Sequence, residues 1–250
     1  VRARGIERAF QILEFLRNHE KAVRPIEIAK ALQAPTSSIY ELIKIMLDMG
    51  VLENFHKDGR VFLGRQLHFL GTSYLKNFSL ASEAETYLEH LSTMTRETAQ
   101  LCMLDGHKYT VAMMKEGDRP FRISADIGEK VAIPWTASGR LLLNHLSNEE
   151  ILAFITPDDF ILPDRSRLPE EQFLKECNQA KEEGFFSFNS ISDTFTRCFA
   201  APVFDENRVP VATLCLIAPK EDALQNFDSY KSELISCANK LTQKLNGNNE

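Results

Sequence analysis

Three consecutive hydroxyl residues, Thr36, Ser37 and Ser38, followed by Tyr40, Glu41 and Lys44, form one polar stripe when they are laid on a helix. Hydroxyls, an aromatic ring and a cation are the side chains that contact phosphate oxygens and base edges, and an α-helix fits the major groove of B-DNA. His56, Lys57 and Arg60 supply a second group of polar and basic residues, and Arg2 and Arg4 lead the chain. The same stripe is equally what a solvated helix face on any small domain carries.

Cys198 is the other residue whose type invites chemistry, as a thiol nucleophile. A thiol enzyme needs a histidine base, none lies near it in sequence, and its neighbours Phe199, Ala200 and Ala201 are apolar. Ligand contact or core packing suits it better than catalysis. The five cysteines contain no CxxC pair and their odd number fits no complete disulfide framework. The six histidines form neither HxxxH nor HExxH, so no local metal signature stands out. No cofactor is implied. The longest strongly apolar stretch, Val211 to Ala218, is far shorter than the roughly 20 residues that span a membrane, and we expect a cytoplasmic protein without membrane partners.

The polar stripe needs a scaffold. Ile6, Ala9, Phe10, Leu13 and Leu16 recur at helical spacing; Pro25 suits the first turn of a short helix with Ile28, Ala29 and Leu32 inward; Gln33 to Pro35 connect it onward. A third helix, Thr36 to Met49, places Ile39, Leu42, Ile43, Met46 and Leu47 inward, with Gly50 just beyond it and the three hydroxyls as candidate N-caps. Two short strands, 51–55 and 60–63, meet at an Asp58-Gly59 turn. This predicts a winged helix-turn-helix over residues 1–65.

A helical connector is expected over 66–80, where Leu67, Leu70, Gly71, Tyr74 and Phe78 share a spacing. The remainder, 81–250, mixes hairpins and helices and reads as an α+β sheet domain rather than a doubly wound one. Strands are expected at 98–104, 109–114, 121–125, 185–189, 196–204 and 209–218. Helices are expected at 81–95, 137–146, 149–155, 170–183 and 222–245.

Charge divides in the same way. Residues 1–65 carry 11 Lys/Arg against 8 Asp/Glu, and residues 66–250 carry 18 against 27, so a net +3 and a net −9 make up the −6 of the chain. The two parts should therefore meet different partners.

Six segments in order, "IERAFQILEFL", "IEIAKALQAPTSSIYELIKIMLDMGVLE", "GRVFLGRQLHFLG", "LEHLSTMTRETAQLCMLDG", "WTASGRLLLNHL" and "RCFAAPVFDENRVPVATLCL", resemble the IclR family of transcription regulators. The resemblance implies a winged helix followed by a GAF-like effector-binding domain, working as a homodimer or dimer of dimers on a double-stranded DNA operator of a metabolic operon. DNA contacts are then expected from Arg4, Thr36, Ser37, Ser38, Tyr40, Glu41, Lys44, Lys57 and Arg60. The family usually carries basic residues where Thr36 and Glu41 stand. Glu41 either accepts from cytosine or closes a capping box with Ser38.

The helix start at Thr136-Ala137-Ser138-Gly139 offers unpaired N–H groups and a dipole that favour an anion, so a carboxylate effector fits there. The resemblance adds, position by position, Ala137 and Ser138, then Asn189 where an acidic residue is common, Cys198, and Cys215 and Ile217 where serines are frequent. Trp135, Phe186, Phe188 and Phe199 lie nearby in sequence, and with a negative charge lost at Asn189 the cavity is expected to be rather apolar. A competing function is a signalling module or hydrolase built on the second domain, with the winged helix as a protein-interaction module.

Overall fold

The computed structural model describes residues 4–55, 59–77, 79–119, 126–191 and 193–247. The chain divides into two compact units, Val1–Phe78 and Ser79–Glu250. Arg2, His56, Lys57, Asp58, Phe78 and the strand expected at 121–125 lie outside the described residues, as do the side chains of Arg4 and Tyr74.

The first unit begins with α1 (Arg4–His19), α2 (Pro25–Ala31) and α3 (Thr36–Asp48), followed by β1 (Leu52–Asn54), β2 (Val61–Leu63) and α4 (Arg65–Asn77). Its core gathers Ile12 and Leu16 from α1, Ile28 from α2, Ile39, Ile43 and Met46 from α3, and Leu52 and Val61 from the hairpin. The stripe buried on α1 therefore differs from the one expected. Ala9, Leu13 and Phe15 flank Ile12 and Leu16, while Ile6 and Phe10 lie further round the helix and remain 63% and 64% exposed.

Pro25 opens α2, whose first turn is closed by the Arg24 amide donating to Glu27 Oε2 at 2.7 Å. Gln33 takes a left-handed φ of 48° in the turn to α3. The start of α3 corrects a second expectation: its N-cap is Pro35, which makes no side-chain cap. Thr36, Ser37 and Ser38 are already helical and exposed, so no capping box joins Ser38 to Glu41. Pro35 sets the bend through its fixed φ, here −56°, and its carbonyl accepts the first helical bond from the Ile39 amide at 3.2 Å. At the other end Gly50 (φ 70°) donates to Leu47 O at 3.0 Å and Val51 donates to Met46 O at 2.9 Å. That pair is a Schellman closure, which needs the left-handed conformation glycine adopts without strain. The hairpin pairs antiparallel, Leu52 opposite Leu63 and Asn54 opposite Val61, and Val23 bridges Val61 from its other side.

The second unit holds α5 (Ser79–Thr95), then β3 (Thr98–Asp105), β4 (Lys108–Lys115) and the two-residue β5 (Lys130–Val131). A 3-10 turn (Ile133–Trp135), α6 (Ala137–Leu142), α7 (Asn148–Phe154) and α8 (Glu170–Glu183) come next. β6 (Phe186–Asn189), β7 (Thr196–Phe204), β8 (Pro210–Pro219), α9 (Lys220–Gln225) and α10 (Phe227–Leu245) complete it. The six strands form one antiparallel sheet in the order β5-β4-β3-β8-β7-β6.

Alternation along β7 separates the two layers. Phe199 packs on Phe227 and Tyr230 of α10, whereas its neighbour Ala200 joins Ala137 and Leu141 of α6. The helix expected over 222–245 is broken at Asn226, whose side-chain amide donates to Asp222 O at 3.0 Å before Phe227 turns in against Phe185 and Phe199. α6 stops at Leu142 rather than 146, and α7 restarts under a capping box in which Ser147 and Glu150 exchange hydrogen bonds.

Candidate functional site

On α3 the sequence alternates between two environments. Ile39, Ile43 and Met46 are buried, and Thr36, Ser37, Ser38, Tyr40, Glu41 and Lys44 are all exposed on the remaining surface. Every site residue expected on this helix is therefore available to a partner, and with no capping box formed Glu41 is not occupied at the helix start. Arg60 is exposed on the turn side of the hairpin, just before β2. Two exposed apolar residues, Ile45 and Met49, share the outer surface of α3 and were missed because periodicity alone counts them as polar-face exceptions. This unit thus presents a short helix, held from behind by two others, whose outward groups are hydroxyls, a phenol, a carboxylate and an ammonium.

The second unit contains a cavity of about 240 Å³ on the α6 side of the sheet. Gln100, Cys215, Ile217 and Cys198 form its floor from β3, β8 and β7; Tyr109, Val111 and Val131 wall one side; and Trp135, Thr136, Ala137 and Ser138 form the lip. Of the expected effector residues, Trp135, Ala137, Ser138, Cys198, Cys215 and Ile217 are thus brought together.

Gly139 and Asn189 are not part of the lining. Gly139 has a packing role: a Cβ there would stand 2.2 Å from Ile133 O, so only glycine lets α6 seat on the preceding 3-10 turn. Asn189 ends β6 and is exposed, and the loop after it supplies Asp193 to the lining in its place. The charge expected to be missing is therefore present. Burial works against it, but hydrogen bonds from Thr196, Ser190 and the Phe195 and Thr196 amides hold the Asp193 carboxyl below its ordinary range. The expected aromatic lining is corrected as well. Phe199 faces the opposite layer, and Phe186 and Phe188 are taken up by Arg140. Among the described residues Trp135 and Tyr109 supply the aromatic lining, with Asp126 and Glu129 exposed at the margin.

Two neutral polar groups in the cavity are under-used. Ser138 is 1% exposed, and its Oγ has no hydrogen-bond partner. Gln100, also 1% exposed, finds only sulfur among the described residues, donating to Met114 Sδ at 3.7 Å and accepting from Cys102 Sγ at 3.9 Å. A buried polar group in this condition costs about 1–3 kcal/mol, which a bound ligand can recover. Thr136 caps α6 by accepting from the Gly139 amide at 3.0 Å, so the Ala137 and Ser138 amides are the first-turn donors left at the lip. Burial pushes the Cys198 thiol up to about 12, which removes the thiolate that nucleophilic catalysis requires.

One residue behind the lip escaped the sequence reading. Arg140 is 1% exposed and donates from Nη1 to Pro134 O (2.9 Å) and Thr136 O (2.6 Å), and from Nε and Nη2 to Glu176 Oε2 (2.9 and 2.7 Å). Its guanidinium also lies over the rings of Phe173, Phe186 and Phe188, 4.8–5.2 Å from their centroids. An arginine followed by "LLL" in a helix too apolar to face water was the available signal.

Comparison with known proteins agrees with this division. Residues 5–54 match the IclR helix-turn-helix domain and residues 72–243 match the bacterial transcriptional regulator IclR C-terminal domain. The chain is 25% identical over 246 residues to the HTH-type transcriptional regulator KdgR of Escherichia coli, covering 96% of this chain and 92% of that one. It is 24% identical over 250 residues to the transcriptional repressor IclR of the same organism, covering 97% and 90%. In fold it is similar to an IclR homolog from Microbacterium hydrocarbonoxydans crystallised with 4-hydroxybenzoate, with a TM-score of 0.82, 21% identity, and 96% and 98% of the two chains covered.

Proposed function

Because the chain belongs to the IclR family of bacterial transcriptional regulators, we propose that it grips paired half-sites of a double-stranded DNA operator as a homodimer or dimer of dimers. In this reading a small organic acid held in the cavity over the sheet controls that binding, and a metabolic operon is the target. The exposed polar face of α3 carries the reading. A helix-turn-helix regulator needs one helix whose inner side is anchored and whose outer side is free to enter the major groove, and α3 has both.

Tyr40, Glu41 and Lys44 are the residues for base edges, with Thr36, Ser37 and Ser38 for nearby phosphates; Arg4, Lys57 and Arg60 track the backbone. The net +3 of residues 1–65 favours that polyanion over other partners. Dimer formation is supported by Ile6 and Phe10 on α1 and Phe69 and Leu70 on α4, which are among the large apolar side chains left more than half exposed in the first unit.

The effector's carboxylate would meet the amides of Ala137 and Ser138 and the unpartnered Ser138 hydroxyl, with its body against Trp135, Val111, Val131 and Ile217. The cavity is smaller than the roughly 300–1,000 Å³ of drug-sized pockets, which favours a compact ligand. 4-Hydroxybenzoate, bound by the Microbacterium hydrocarbonoxydans homolog, is such an acid.

Gel shifts on DNA upstream of the chain's own gene test the reading. We expect saturable, sequence-dependent retardation, with Lys57→Ala or Arg60→Ala weakening all sequences and flattening the salt dependence by about one unit of slope. Tyr40→Ala should instead alter sequence preference. No specific shift at any salt, or sedimentation of a 28.4 kDa monomer with and without DNA, would sink it.

A further inference from the structure

On the far side of the second unit from the cavity, α5 and α10 bring together three side chains of different donor type. His90 comes from α5, and Glu233 and Cys237, four residues apart and so on one face, come from α10. His90 Nε2 and Glu233 Oε2 are 3.3 Å apart, and the Cys237 Sγ lies within 4.8 Å of both. His90 is exposed, Glu233 half-buried and Cys237 2% exposed, so the sulfur forms the base of a shallow notch with the other two donors at its rim.

We propose that His90, Glu233 and Cys237 form a binding site for a divalent transition cation of the zinc class. The geometry carries this. Tetrahedral zinc with nitrogen and oxygen at about 2.05 Å and sulfur at about 2.3 Å sets its nitrogen and oxygen ligands about 3.3 Å apart, with the sulfur about 3.6 Å from each. The first separation is already in place, and the second needs the donor atoms to close by no more than about 1.2 Å, within the reach of small torsional shifts. Imidazole, carboxylate and thiolate together suit zinc, whereas calcium and magnesium take oxygen ligands. Three protein ligands leave a fourth position open to water or to a donor from another molecule. The charges of the carboxylate and thiolate balance those of the cation. Binding displaces the thiol proton, which burial and Glu233 hold on the sulfur while Lys240, one turn further along α10, favours its release. The bound ion would clamp α5 to α10, the helices that cover one layer of the sheet.

The probe is cobalt(II), titrated into the reduced, chelator-dialysed full chain. We expect one cation per chain, with the visible bands of tetrahedral cobalt and a near-ultraviolet sulfur-to-cobalt charge-transfer band, all bleached by zinc. Cys237→Ala should abolish the charge-transfer band. His90→Ala, at an exposed position where folding is not at risk, should weaken binding by at least the roughly 10–100-fold that loss of an outer-shell partner costs. Zinc should raise the melting temperature of the native chain and not that of His90→Ala. Absence of the charge-transfer band at saturating cobalt would overturn the proposal. So would a band surviving in both variants, which would place the thiolate ligand on a cysteine other than Cys237.

Discussion

Arg140→Ala should destabilise the second unit by about 3–5 kcal/mol, the usual cost of emptying the place of a large buried side chain and orphaning the polar groups it served, while Glu176 itself stays part-buried at 24% exposure. The loss has three parts. The Glu176 carboxylate loses a two-pronged donor, the Pro134 and Thr136 carbonyls lose theirs, and three phenylalanine rings lose the cation stacked among them. At about 2–4 °C per kcal/mol for a unit of this size, the melting transition should fall by roughly 6–20 °C. Arg140→Lys keeps the charge but not the fork, and a single ammonium cannot serve two carbonyls and a carboxylate while lying flat between rings. It should therefore recover only part of the loss. Because Pro134 and Thr136 frame the lip of the cavity, Arg140→Lys should also weaken effector binding at temperatures where it remains folded. Differential scanning calorimetry of the full chain checks this. A variant melting within about 2 °C of the native protein would show that the lip is held by other contacts.

Burial explains why Arg140 was hard to find and why some neighbours were easy. The winged helix follows from local periodicity, since Ile39, Ile43 and Met46 repeat at a helical interval and Gly50 closes the helix where a left-handed residue is needed. The expected α+β class, with a winged helix-turn-helix followed by a GAF-like sheet domain, is the class found. α3 starts at Thr36 as expected, but its cap went wrong because Thr36, Ser37 and Ser38 are all good caps in isolation, and a proline ahead of them took the position instead.

Cavity residues divide along the same line between local and non-local information. Ser138, Cys198, Cys215 and Ile217 were reachable through resemblance, position by position. Gln100 and Tyr109 were not, because their place in the floor and wall depends on the pairing of β3 with β8 and β4, which brings Gln100 opposite Cys215. A polar glutamine inside the apolar strand "TAQLCML" was the one local hint. The exchange of Asn189 for Asp193 reflects a loop whose course is set by Asp193 itself, through its hydrogen bonds to the Phe195 and Thr196 amides.

Substitutions at Ser138 should separate stability from ligand binding with opposite signs. The Ser138 hydroxyl is buried without a hydrogen-bond partner, the nearby Cys215 thiol giving at most a soft one. Ser138→Ala therefore removes an unpaid desolvation cost and should leave the second unit as stable as before, or more stable by up to about 1 kcal/mol. If the hydroxyl is kept for an effector, the same change should weaken binding of an organic acid by about 1.5–3 kcal/mol, the worth of a hydrogen bond to a charged group. That is roughly 10–150-fold in affinity. Ser138→Trp should go further, since an indole projecting from the lip fills a cavity of about 240 Å³ and should abolish binding while the DNA-contacting unit keeps its fold. Cys198→Trp, entering from the floor, is the independent check against a local folding defect. Calorimetry with a panel of small carboxylic acids, alongside gel shifts on the same variants, measures both effects. Preference for glyoxylate-sized polar acids would refute the apolar or aromatic body assigned to the effector. Undiminished acid binding by Ser138→Trp and Cys198→Trp would move the effector out of this cavity altogether.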